Sequence, residues 1–207
     1  DDGGTDLFEQ SLVIQSLAQV RRGPVASLVI SPETVKVGHD IRFDGSSSQS
    51  GDGVLTDWSF DYDANGTEDS SGTLSSRVLQ RPAAGTFTAR LTVTSTFADG
   101  SSSTASTSKQ YSVIANAAPV AAFSLPPTGV VDVALDLVAS ESFDPDGRVA
   151  AYEWDLNYNG VAFTADATGE SLSYAFTPAA TYSVALRVTD DDGGTDLFEQ
   201  SLVIQSL

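Results

Sequence analysis

The chain has no cysteine, no methionine and one histidine, His39. Without thiols there are no disulfides, no thiolate metal sites and no cysteine nucleophile. Basic residues are scarce, with 10 Lys and Arg against 28 Asp and Glu in 207 residues, for a formal charge of −18. Such a surface repels nucleic-acid phosphates and anionic lipids, so neither is expected as a partner. No apolar run approaches the roughly 20 residues of a membrane span, and no leader pattern is present. Position 1 is Asp rather than Met, which points to a mature or excised segment. GxSxG, HExxH and phosphate-cradling glycine motifs are absent as well. His39, in Val37-Gly38-His39-Asp40, reads as a turn residue before the strand Ile41-Arg42-Phe43. A non-enzyme is expected.

What is present points to β structure. Hydrophobic content of 41% is enough for a core. Of the acids, 21 are Asp and 7 are Glu. Asp favours loops and binds cations, whereas Glu favours helices, so the bias suits a loop-rich β protein. Adaptation to salt would leave the same acidic excess. Phe87, Ala89, Leu91 and Val93 alternate with Thr88, Arg90 and Thr92, and Tyr182, Val184, Leu186 and Val188 alternate in the same way. That period of two marks half-buried strands. No long stretch has helical periodicity.

Residues 1–17, DDGGTDLFEQSLVIQSL, recur letter for letter as 191–207. Such identity at fixed spacing is the mark of a repeat array. It favours a structural or adhesive role. A fainter duplication lies inside the period: GTFTARLTVT (85–94) parallels ATYSVALRVT (180–189), and Trp58 parallels Trp154. We place domains at 24–115 and 119–207, with linkers at 18–23 and 116–118.

Pro119-Val-Ala-Ala-Phe123, SFDPDGRVAAYEWDL (142–156) and YAFTPAATYSVALRVTDDDGG (174–194) resemble the PKD (polycystic kidney disease) domain. In the first domain FDGSSSQSGDG (43–53), Trp58-Ser-Phe and AAGTFTARLTV (83–93) do so. There Ser59 stands where the family pattern has Asp after the tryptophan. The resemblance implies two tandem immunoglobulin-like sandwiches of a secreted or cell-surface protein. It places Trp58 and Trp154 on strand C as core anchors, Phe87 and Tyr182 at the start of strand F, and 197–205 as strand G. Residues 7–15 then copy strand G without a strand F of their own. Leu7, Phe8, Leu12, Val13 and Ile14 are its apolar residues, and an unpartnered strand of this kind seeks a sheet. The segment is expected to complete an adjacent repeat or to insert into another copy of the chain.

Calcium is the expected cofactor. Asp61, Asp63, Asn65 and Asp69 fall at positions 1, 3, 5 and 9 of a loop with Gly66 at position 6, the front half of an EF-type calcium loop. Asp155, Asn157, Asn159 and Asp166 fall at positions 1, 3, 5 and 12 of a less charged counterpart. Turn chemistry alone would also select these residues. Asp144, Asp146, Asp190, Asp191 and Asp192 form a third acidic group, on loops that meet in an immunoglobulin topology. These acids are expected to flank the joint at Asn116–Pro119, where a cation would stiffen it. At the next joint Arg21 and Arg22 are expected to form ion pairs. Asn65-Gly-Thr67 also fits a glycosylation sequon. The alternative is an accessory module of a secreted hydrolase that grips a glycan or protein. It calls for a row of exposed aromatics that the sequence does not display.

Overall fold

The structure, a computed structural model, describes residues 20–206. Leu7, Phe8, Leu12, Val13 and Ile14 lie outside the described residues. The described chain is all-β and divides into two compact units after Val113.

The first unit has strands β1 (Val29–Ser31), β2 (Thr34–Lys36), β3 (Asp40–Asp44), β4 (Val54–Asp61), β5 (Ser76–Gln80), β6 (Gly85–Thr96) and β7 (Ser102–Ile114). They form two sheets, ordered β1-β3-β5 and β2-β7-β6-β4. Alternation decides what lies between them. Ile30, Ile41 and Phe43 come from the first sheet, and Phe60, Leu91, Val93 and Tyr111 from the second. Burial of this apolar layer is what two-sheet packing provides.

The second unit has β8 (Thr128–Val130), β9 (Ala134–Val138), β10 (Val149–Asp155), β11 (Ala167–Thr168), β12 (Ser171–Ala175), β13 (Thr181–Asp190) and β14 (Thr195–Gln205). The sheets are β12-β9 and β11-β10-β13-β14-β8. Bridges at Val120–Phe143 and Ser124–Val138 add the incoming segment to the smaller sheet's layer. β14 pairs antiparallel with β13 along its length and parallel with β8 at Val203–Gln205. Its Leu202 and Ile204 are buried among Leu137, Trp154, Leu186 and their neighbours. Phe198, 40% exposed, lies edge-on to Phe123 at 5.4 Å.

Strand register corrects one expectation. Trp154 lies opposite Leu186, and Trp58 lies opposite Val93. In the duplicated strands Leu186 corresponds to Leu91, and the residue opposite Leu91 is Phe60. Phe60, not Trp58, is therefore the counterpart of Trp154, and both are fully buried. Trp58 sits two residues earlier, only partly buried, with Nε1 donating to Gly45 O at 3.2 Å. A shift of two keeps the same sheet face, so alternation cannot detect it. The shift also puts Asp61 in the place of Asp155. The acid that follows the core aromatic is thus present in both units, and Ser59 is no departure.

Candidate cation-binding loops

Each acidic loop leaves its sheet one residue after the core aromatic. Asp61 ends β4 and Asp155 ends β10, and both are buried. Both loops close in the same way. Asp69 N donates to Phe60 O (2.9 Å), and Asp69 Oδ2 accepts from Tyr62 N (2.7 Å). Asp166 N donates to Trp154 O (2.8 Å), and Asp166 Oδ2 accepts from Leu156 N (2.8 Å). Asp69 and Asp166 are therefore one structural position, although counting along the chain sets them at 9 and 12. The second loop simply carries more residues between its acids.

Within the first loop, Asp61 Oδ1 accepts from Asn65 N (3.3 Å) and Oδ2 from Gly66 N (2.9 Å). Asp63 Oδ1 also accepts from Asn65 N (3.2 Å). One carboxylate oxygen each of Asp61, Asp63 and Asp69 lies within 4.8 Å of the other two. No other such set of three acidic, histidine or cysteine ligands occurs among the described residues. Oxygen-only ligands suit a hard cation such as calcium. Beside the loop a shallow hollow is lined by Asp57, Ser59, Glu68, Arg90 and Thr92. Glu68 Oε2 accepts from Ser59 Oγ at 2.6 Å, and the Ser59 and Ser71 hydroxyls hold its carboxyl below the usual range. Glu68 carries no spacing signal and went unrecognised in the sequence.

The second loop has two carboxylates. Asp155 Oδ1 accepts from Asn157 N (3.1 Å) and Oδ2 from Thr164 N (2.9 Å). Asn159 Oδ1 accepts from Val161 N and Ala162 N, each at 2.9 Å. Asn157 follows Asp155 by the same step as Asp63 follows Asp61, with an amide in place of a carboxylate.

The third group braces the incoming chain of the second unit. Asp190, 3% exposed, accepts from Gly194 N (2.7 Å) and Asp192 N (2.9 Å) at Oδ1, and from Asn116 Nδ2 (2.8 Å) at Oδ2. Burial pushes its carboxyl up, but the Asn116, Gly194 and Asp192 hydrogen bonds outweigh that and hold it below the usual value. Asp146 Oδ2 accepts from Ala117 N (3.3 Å). Asp191 Oδ1 accepts from Arg148 N, and its Oδ2 pairs with Arg148 Nε at 3.3 Å. Asp144 Oδ1 accepts from Asp146 N (3.3 Å), while its Oδ2 is buried without a hydrogen-bond donor. Asn116, the partner of Asp190, reads in the sequence only as linker.

The first unit has the same brace with different chemistry. Asp52 Oδ2 accepts from Arg22 N (2.7 Å), as Asp146 does from Ala117 N. Ser95 holds the place of Asp190 and donates from Oγ to Ser50 O (2.9 Å). Arg21 pairs with Asp99 at 2.8 Å and lies over the Phe97 ring at 5.0 Å. The Ser101 hydroxyl and N–H, with Arg21, pull Asp99 down to about 2. Among the described residues Arg21 thus pairs within its own unit.

The duplicated core aromatic, the acid after it and the closing acid describe one domain type used twice. A family model for the PKD domain matches the chain over residues 21–112 and again over 116–205. The chain belongs to the PKD domain family. The pre-pro-metalloprotease PrtV of Vibrio cholerae serotype O1 (strain M66-2) is 35% identical over 91 residues, 44% of this chain and 9% of the protease. The matched stretch, about the length of one PKD unit, spans only a small part of that protein's length. Among solved structures, the PKD1 domain of Vibrio anguillarum Epp is 32% identical, covering 44% of this chain and 99% of that one, with a TM-score of 0.36. The PKD1 domain of Vibrio cholerae metalloprotease PrtV is 34% identical, covering 43% and 99%, with a TM-score of 0.35.

Proposed function

We propose that this tandem PKD chain is a non-enzymatic extracellular repeat module that builds an extended stalk, adhesin or filament, joined end to end through strands. One observation carries this reading. The sequence at 191–207 recurs at 1–17, and in the second unit it supplies β14, which sits between β13 and β8. Leu12 and Ile14 are the copies of Leu202 and Ile204, the two residues that β14 places in the core. A strand with that pattern needs another sheet edge and apolar face. The partner is an adjacent repeat or a second copy of the chain, through strand complementation. Sedimentation velocity at rising concentration tests the second case. Higher species are expected for the chain with residues 1–17 and not for one without them; monomers in both would remove assembly between copies.

The secreted setting is supported by the relative's printed name, a pre-pro-metalloprotease, and by the acidic surface. The same match favours a second reading, an accessory module that grips glycan or protein for a hydrolase. Binding to a glycan array by the two-unit chain, with no self-assembly, would select it.

Calcium is the cofactor we assign, first to Asp61, Asp63, Asn65 and Asp69. The loop of Asp155, Asn157, Asn159 and Asp166 would bind more weakly, because it holds fewer charges. In the third group, Asp144 Oδ2 is the buried oxygen that a cation would satisfy. Calorimetric titration is expected to show calcium binding that Asp63→Asn weakens by roughly tenfold or more. No heat from the unaltered chain, or an unchanged affinity in Asp63→Asn, would contradict the assignment.

A further inference from the structure

The two acidic loops each carry an Asn-Gly step at the same loop positions, Asn65-Gly66 and Asn159-Gly160. All four residues are exposed, and both glycines have positive φ, 91° and 78°. Asn-Gly is the dipeptide in which the following backbone nitrogen most easily reaches the side-chain amide, because glycine offers no Cβ to obstruct it. The loops treat that reaction in opposite ways.

In the first loop the nucleophile is held back. Gly66 N donates to Asp61 Oδ2 at 2.9 Å. The nitrogen attacks only after losing its proton, and a carboxylate that accepts that proton's hydrogen bond stabilises the protonated form. The electrophile has one donor, Thr67 N at 2.7 Å from Asn65 Oδ1. In the second loop Asp155 is occupied by Asn157 N and Thr164 N, and Gly160 N has no hydrogen-bond acceptor among the described residues. Asn159 Oδ1 receives two backbone N–H groups, from Val161 and Ala162. Paired amides on a carbonyl oxygen stabilise the negative charge that develops there when a nucleophile adds. Nothing lies within 4 Å of the position a Cβ would take on either Gly66 or Gly160, so the loops differ in their hydrogen bonds and not in the space beside the glycine.

We propose that Asn159 is a site of self-catalysed deamidation and that the fold protects Asn65 from the same change. Gly160 N gives its proton to solvent base and adds to Asn159 Cγ. The bond from Cγ to the side-chain nitrogen breaks, and that nitrogen leaves with a proton from solvent as ammonia. The succinimide that remains is opened by water at either carbonyl, giving aspartate or isoaspartate at position 159. The loop gains one negative charge beside Asp155 and Asp166. Any gain in calcium affinity rests on the calcium reading above; the deamidation itself does not.

The test is to incubate the full chain at mildly alkaline pH with a chelator present and to follow both peptides by mass spectrometry. Conversion at Asn159 is expected to be on the order of tenfold faster than at Asn65. In urea, where both loops are unfolded, the two rates should converge. Asp61→Asn, which weakens the hold on Gly66 N, should raise the rate at Asn65 in the folded chain. Equal native rates, faster loss at Asn65, or a difference that survives in urea would each overturn the proposal. Because the chelator removes calcium from every arm, a failed calcium assignment leaves this outcome unaffected.

Discussion

Leu202→Asp is expected to abolish the unfolding transition of the second PKD unit while that of the first remains. Leu202 is fully buried in β14, opposite Tyr182 and packed with the Trp154 cluster. Removing its side chain alone would cost about 2–5 kcal/mol. A carboxylate there adds the cost of burying an unpaired polar or charged group. The sum approaches the whole stability of a small domain, about 5–15 kcal/mol. Calorimetry of the full chain measures it: one transition should persist and one should vanish. Leu12→Asp makes the same chemical change in the same local sequence. It is expected to leave both transitions in place and to act on assembly only, because the proposed role of residues 7–15 is to complete an adjacent repeat or a second copy. Loss of either unit's transition in Leu12→Asp would mean that residues 7–15 already belong to one of them.

Much of this architecture is legible in the sequence because β-sandwich cores are written in alternation. Phe87 to Val93 and Tyr182 to Val188 announce β6 and β13 directly. The pairing of Trp58 with Trp154 misled for a physical reason. Residues two apart on a strand share a face, so Trp58 and Phe60 look equivalent until the register opposite Leu91 is known. The acidic loops were visible as Asp and Asn at alternate positions. The equivalence of Asp69 with Asp166 was not, because it lies in backbone hydrogen bonds to Phe60 and Trp154 across loops of unequal length. Asn116 and Glu68 escaped for a similar reason. Asp190 stands 74 residues from Asn116 and Ser59 nine from Glu68, and no motif ties either pair together.

The central claim concerns residues 7–15, and supplying what they are expected to lack tests it most directly. Residues 114–190 comprise a PKD unit up to the end of β13, with β14 left out. Placed ahead of residue 1, they would be followed by the sequence that forms β14 in the second unit. Amide hydrogen exchange would then compare residues 7–15 in this lengthened chain with residues 197–205. Global protection of core-strand amides reports membership of a cooperative unit. Matching slow exchange in the two segments, together with a third unfolding transition, is the predicted result. Fast exchange of residues 7–15 with the added unit in place would contradict the claim that this segment is the closing strand of a PKD sandwich.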